Sequence, residues 1–536
     1  MSPRVRRAAP ALLGLVLGGL CLGPALLPGY VLVQDMVFVP EPVFSRFAFG
    51  LAGGSPRAVP SDLVVTALAQ VVPAWLVQKA VLLGIFVLGC AGAARLVPSA
   101  SLAGRLVAGG FYVWNPYVAE RLLMGQWALL LGYAGLPWVV AAVRDRRRVA
   151  VALLPAAVGG FAAMTVTAIT ALPVAAFVAW RSRTPRALLW PFALLAAGSL
   201  PWLVTALARP GGLTGDPVGV EAFAARADGP FGAVASLLSL GGVWNAWAVP
   251  AAFDTVPGAV ARLTLVAAGV AGFALVRRER AKPGAPGNIG TWGRSEAPGR
   301  SGRRPGGRGV LGAEVWGGLV VAALAGAGIA VAGVGPGGRA VLKGLVEMWA
   351  GVAVFRDAQQ FVAPLALLAA VGLGSLTARA ASRWAAAMVL VPLAVLPTLA
   401  WGAAGRLEAV DYPRSWSAAR EILRRDPAPG DVLVLPFESY RRYGWNGGRA
   451  VLDPAQRFFA VPGREVVVND AVRVGSLVVG AEDPRARRLA ERLADPGALA
   501  AEGIGFVVID AGPPLWLPGL TAVLETHEIR LYRVVH

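Results

Sequence analysis

The sequence predicts an α-helical polytopic membrane protein of about 11 spans, with an extracytoplasmic α/β domain at its C-terminus. Three observations predict it. The 536-residue chain is 56% hydrophobic and only 15% charged, against roughly 25% charged in soluble domains. Apolar runs of span length recur from residue 11 to residue 403, and such runs are the signature of helices crossing a bilayer. Arg residues gather in short tracts between those runs, as cytoplasmic loops require, whereas from Arg406 onward the composition is that of a soluble domain.

The same placement accounts for the net charge of +19. The basic tracts lack interleaved aromatics, so nucleic acid is not the expected partner. Cys21 and Cys90 both lie inside apolar runs, which excludes a disulfide framework and a Cys-type metal site. His527 and His536 sit near the C-terminus, which excludes a histidine site within the membrane.

Residues 11–33 form the first span, with Arg4, Arg6 and Arg7 on the inside. The run is longer than the roughly 7–15 residues of a signal-peptide core, so an uncleaved span is expected. An outer loop over 34–61 follows, then a short interfacial helix over 62–72. Further spans are expected at 75–97, 102–113 and 127–143. Residues 149–180 lie between two Arg tracts, 144–148 and 181–186, so both ends belong on one side. A single helix of that length would run ~48 Å at ~1.5 Å per residue, too long for a ~30 Å hydrocarbon core, and two full spans need ~40 residues. A hairpin of two short helices turning near Met164–Thr167 fits. Later spans are expected at 187–207, 259–276, 310–334, 362–376 and 384–403, with outer loops at 208–257 and 335–360.

This divides the chain into four parts. Residues 1–276 form an N-terminal transmembrane bundle with outer-face loops. Residues 277–309, rich in Gly, Pro and Arg, read as a disordered basic cytoplasmic linker. Residues 310–404 form C-terminal transmembrane helices, and 405–536 the α/β domain. In the last, helices are expected at 415–424 and 484–501, and strands at 432–436, 465–468, 506–510, 522–525 and 529–534. The membrane part has no evident internal repeat, so an inverted-repeat transporter gains no support.

The stretch 112–127 carries the densest polar chemistry. It puts Asn115, Glu120, Arg121 and Gln126 at or near membrane depth, where polar groups face a protein interior or a cavity. Pro116 lacks a backbone donor and disfavours helix at Asn115, so the helix must break there. Asp35 lies just beyond the first span among Val33, Met36, Val37 and Phe38. It reads either as a loop carboxylate or cap, or as a general base whose pKa partial burial lifts. Glu120 and Arg121 read either as an interfacial ion pair or, for Arg121, as a phosphate contact. Gln126 and Asn115 would then bind sugar hydroxyls or lock the loop. Arg356 and Asp357 form another polar pair, either an exposed ion pair or, through Arg356, a second hold on an anionic head group. No cofactor is required by any motif; Asp35 and Glu41 are candidates to share a divalent cation.

Together these residues resemble a family. Asp35 after the first span, Asn115-Pro116-Tyr117, Glu120-Arg121, Gly125-Gln126-Trp127, Leu136-Pro137-Trp138 and Phe355-Arg356-Asp357-Ala358-Gln359 are similar to C-type-fold (GT-C) membrane glycosyltransferases, above all the actinobacterial arabinofuranosyltransferase-like proteins. The resemblance implies a plasma-membrane enzyme of the cell envelope with a polyprenyl-phosphate sugar donor of the arabinofuranose or mannose class. It implies transfer to an envelope glycan on the outer face, with an acid of the first outer loop as base, by position Asp35. Met36 departs from the pattern, since many of these enzymes carry a second acid there. The C-terminal domain would suit an acceptor-glycan module. Two other classes compete: a non-catalytic protein that binds or hands on lipid-linked glycans, and a transporter.

Overall fold

The computed structural model describes residues 2–208, 215–281, 312–510 and 519–534. The linker expected over 277–309 lies, beyond residue 281, outside the described residues.

The membrane part is built from α1 (Pro3–Leu22), α2 (Ala74–Leu96), α3 (Leu102–Val113), α4 (Pro116–Leu123), α5 (Trp127–Ala142), α6 (Leu154–Ser182), α7 (Arg186–Ala208), α8 (Val256–Ala281), α9 (Ala313–Ala332), α10 (Pro336–Met348) and α11 (Ala363–Thr377). Among the described residues seven helices are long and apolar enough to cross a membrane, and α5 is a shorter apolar helix. The central element is α11, which packs against α3, α8 and α9. Small residues let it do so. Any side chain on Gly372 would collide with the Gly269 carbonyl of α8, and one on Gly374 with the Gly104 carbonyl of α3. Such close backbone approach drives helix association where lipid removes the hydrophobic force.

One end of the bundle is basic. Arg144 pairs with Glu314, Arg379 with Glu279, and Arg95 lies 5.6 Å from the Trp138 ring centroid. Arg146 stacks 4.6 Å from the Trp190 centroid, so the first Arg tract lies against α7, which begins at the end of the second. The segment does fold back, but at Gly160 (φ 74°) rather than at Met164–Thr167, and its arms are unequal instead of two short helices, since the second continues to Ser182. A carbon on Gly132 would lie 3.5 Å from Ala156 and 3.2 Å from Ala163, residues that a straight helix holds ~10 Å apart. Gly160 tolerates the positive φ that a side chain resists. The Thr165 hydroxyl meanwhile bonds back to the Phe161 carbonyl at 2.8 Å, inside the second arm. The span expected at 384–403 is also corrected. The chain there is short pieces, Ser382–Ala387, Val391–Val395, Pro397–Leu399 and Ala400–Gly405, with positive φ at Trp401, Ala403 and Ala404. Pro392 and Pro397 deny the segment the donors a continuous helix needs.

The C-terminal domain holds a five-stranded sheet in the order β10-β11-β9-β3-β6, where β3 is Asp431–Leu435, β6 Val466–Val467, β9 Ile504–Asp510, β10 Leu520–Glu525 and β11 Ile529–Val534. The β3 pairings with β6 and β9 are parallel, and those of β11 are antiparallel. The helix Arg414–Arg425 packs on β11. The single helix expected over 484–501 is two, Pro484–Ala490 and Pro496–Ala501, because Asp495 caps a second start and Pro496 cannot continue the first. Three small pairings complete the strands. β1 (Tyr30–Val31), which falls in the stretch 11–33 expected as the first span because α1 ends at Leu22, pairs with β2 (Ala409–Val410); β4 (Tyr440–Arg442) pairs with β5 (Ala450–Leu452); β7 (Val472–Val474) pairs with β8 (Leu477–Val479).

The segment that follows α1 is therefore clamped between the two parts. Arg57 pairs with Glu482, Asp62 with Arg457 at 2.8 Å and Glu41 with Arg420 at 3.0 Å. The domain sits against the end of the bundle opposite the basic tracts.

Candidate active site

Asp35 is placed by its backbone from both sides. Its N–H donates to the Met124 carbonyl at 3.1 Å. The preceding Gln34, in left-handed backbone at φ 45°, donates to the Ala450 carbonyl and accepts from Leu452 N–H, each at 2.8 Å. Gly125 makes this approach possible. It has φ 72°, and a side-chain carbon there would strike Val33 O and Met36 N and lie 2.9 Å from Asp35 N.

The half-buried Asp35 carboxylate then meets two donors. The Tyr440 hydroxyl donates to Oδ1, and Gln126 Nε2 donates to Oδ2 at 3.5 Å. The Gln126 amide is oriented in turn by Arg121, whose Nη1 donates to Oε1 at 2.7 Å. Arg121 also forks onto Asp357, Nη1 to Oδ2 at 2.8 Å and Nη2 to Oδ1 at 3.3 Å. The result is one relay, Tyr440, Asp35, Gln126, Arg121, Asp357, in which each group fixes the next. Burial pushes the Asp35 carboxyl above its ordinary pKa, and the Asp357 charge adds to that; the Tyr440 and Gln126 hydrogen bonds and the Arg57 charge pull the other way and do not cancel it. Burial and the Asp35 charge push the Tyr440 phenol well up, so it remains a donor.

The remaining candidates are placed elsewhere. Asn115 is the N-cap of α4: Val118 N–H donates to its Oδ1 at 3.1 Å, and its Nδ2 bonds the Phe111 and Tyr112 carbonyls at 2.9 and 2.8 Å. It breaks and restarts the helix, the loop-locking alternative of its two expected roles. Glu120 turns away from its neighbour Arg121 and faces Asp228; burial first, then the Asp228 charge, pushes its carboxyl well above the ordinary range. Arg356 leaves Asp357 behind and reaches Glu482, Nη2 to Oε1 at 3.7 Å, with its guanidinium 4.9 Å from the Phe223 centroid. Arg57 shares that carboxylate. The expected phosphate role of Arg121 meets a physical obstacle: its side chain is 2% exposed and two of its partners are charged or fixed. Its observed work is to hold Gln126 and Asp357. Glu41 is not beside Asp35 but 82% exposed and paired with Arg420. Among the described residues no group of three or more His, Cys, Asp or Glu side chains could hold a metal ion.

Sequence reasoning missed Tyr440, Arg57 and Glu482, and weighed Asp228 only as one ordinary acid of a long loop. A signal for the first was present: Asn446-Gly447-Gly448 between two short extended runs is the strongest local mark of a hairpin. Compared with protein-family models and with curated proteins, the chain matches none.

Proposed function

We propose that this chain is a membrane glycosyltransferase of the GT-C type, moving a sugar of the arabinofuranose or mannose class from a polyprenyl-phosphate donor to a cell-envelope glycan. The observation that carries the reading is Asp35. It is a carboxyl of raised pKa, held by Tyr440 and Gln126 at the junction of an apolar helical bundle and a polar domain. A lipid-borne donor enters such a junction from the bilayer and a glycan from the other side. The acceptor hydroxyl gives its proton to Asp35, its oxygen attacks the anomeric carbon, and the bond from that carbon to the phosphate oxygen breaks. Polyprenyl phosphate leaves with the bonding pair.

Asp35 is the base in this reading. Arg121, Gln126 and Asp357 hold it in register, and Asn115 and Glu120 shape the surrounding helices. The donor phosphate falls to Arg356 and Arg57. Arg356 Nη1 is buried with no hydrogen-bond partner, and the Arg57 side chain is 54% exposed, so both have donors to offer that Arg121 lacks. The reading places the N-terminus in the cytoplasm and the C-terminal domain outside the plasma membrane, because the Arg tracts gather at the end away from Asp35.

The test is transfer of radiolabelled sugar from polyprenyl-phosphate donors to envelope glycans, with wild type and Asp35→Asn at matched expression. Transfer that collapses in the variant is the expected result; equal transfer sinks Asp35 as base. A non-catalytic glycan-lipid binder is favoured by one observation, that both Asp35 oxygens already accept hydrogen bonds. It predicts no transfer by either protein and a co-purifying lipid-linked glycan.

A further inference from the structure

We infer that the C-terminal domain completes the site rather than hanging beside it, and that Tyr440 is the positioning residue that sets the protonation of Asp35. The inference rests on the reading of Asp35 as a base. Geometry carries it. Tyr440 stands opposite Leu452 in the β4–β5 hairpin, and Leu452 N–H is the group that bonds the Gln34 carbonyl. Val451 forms a parallel bridge with Gln34. Asp35 and the strand bearing Tyr440 therefore belong to one continuous ladder, although the two residues are 405 positions apart.

Register does the rest. Alternate residues of a strand face opposite ways, so with Tyr440 aimed at Asp35, Arg441 points into the domain and bonds Asp510 at 2.7 Å. The hairpin tip is tied down as well: Asn446 Nδ2 donates to the Leu32 carbonyl at 3.0 Å. A hydroxyl fixed this way is not a passing contact. It is a donor delivered by one domain to the carboxylate of the other.

The chemical consequence follows from which state each neighbour favours. Tyr440 and Gln126 donate to the charged form of Asp35, Arg57 attracts it, and Asp357, itself held by Arg121, repels it. Removing the Tyr440 donor leaves burial and Asp357 less opposed, so Asp35 holds its proton to higher pH. A base that is protonated at working pH is no base. Tyr440 thus keeps Asp35 usable in a site whose burial works against it.

The experiment uses the full chain in lipid nanodiscs. Carbodiimide modifies protonated carboxyls, so the extent of Asp35 labelling against pH, read by mass spectrometry, gives its titration midpoint without any need for transfer. Tyr440→Phe keeps the ring and should raise the midpoint by about one pH unit or more, since a hydrogen bond to a charged acceptor is worth about that shift. Replacing Tyr440 by 3-fluorotyrosine, nearly isosteric and a stronger donor, should lower it, which guards against a misfolded phenylalanine variant. The acid limb of the transfer rate should move with the midpoint, and KM for the donor should not. Coincident midpoints in all three proteins overturn the inference. Shifted midpoints with no transfer by wild type leave the Tyr440–Asp35 coupling standing and remove the glycosyltransferase reading instead.

Discussion

Replacing Arg121 by Met separates a strut from a ligand contact. The side chain is 2% exposed and its partner Asp357 is 21% exposed. Removing one member of a buried ion pair costs ~3–5 kcal/mol, because the other is left uncompensated, whereas replacing both by apolar groups is often nearly neutral. Asp357 retains some solvent, so Arg121→Met belongs at the low end, about 3 kcal/mol. Asp357→Leu strands the more deeply buried charge and should cost more. The double variant should cost less than either single one, so the coupling energy is favourable by more than about 3 kcal/mol. Equilibrium unfolding of the full chain in mixed micelles, titrated with SDS and followed by tryptophan fluorescence, measures all four corners of the cycle. A ligand contact behaves otherwise: Arg121→Met would then cost within about 0.5 kcal/mol, like a surface change, while donor affinity fell. That result, or an additive cycle, refutes the strut.

Three further outcomes are expected. Gly125→Ala should destabilise by at least ~2 kcal/mol, since a left-handed conformation costs a side-chain-bearing residue ~1–2 kcal/mol and the new carbon strikes Val33 and Met36; a silent variant in the same unfolding assay would show that the Asp35 loop is not held as described. Gly160→Leu should disrupt the α6 hairpin, because its side chain would enter the Val59 carbonyl, and new protease sensitivity between the Arg tracts would report it. Glu120 binds a proton more tightly folded than unfolded, so its contribution to stability is present below its ordinary pKa of roughly 4.3 and is lost as pH rises towards its raised folded value. Glu120→Gln should flatten that part of the stability–pH curve, and an unchanged slope would count against the Glu120–Asp228 pair.

The spans were legible because length and apolarity are properties of a segment alone. Helices expected at 75–97, 102–113 and 187–207 appear at Ala74–Leu96, Leu102–Val113 and Arg186–Ala208. The break before Pro116 was legible for the same reason: one residue removes one donor, and Asn115 beside it supplies the cap. Asp35, Arg121, Gln126 and Asp357 were legible as polar groups that had to find partners, since polar side chains beside apolar spans must satisfy one another, and the structure does bring these four together. The turn at Gly160 was not, because several small residues nearby would serve equally and only packing against α5 and the Val59–Pro60 segment selects one. The broken path over 382–405 carried its prolines in plain view, but an apolar run masks them when hydropathy is averaged.

Tyr440 was illegible for a deeper reason. Whether a strand residue faces a site or the interior is decided by register, and a slip of one position would send Arg441 to Asp35 in its place. Nothing local to residues 440–452 sets that register against Gln34. It is set by contacts on all sides: Arg441 to Asp510, Asn446 to Leu32, and the Tyr30–Val31 pairing with Ala409–Val410 that brings the two parts together. The same dependence makes the arrangement informative. A tyrosine serving only to fill space could lie on either face of the hairpin, whereas an arginine facing Asp35 would form a salt bridge and hold the carboxylate charged and occupied. A neutral donor keeps the carboxylate in place while leaving it able to take up a proton.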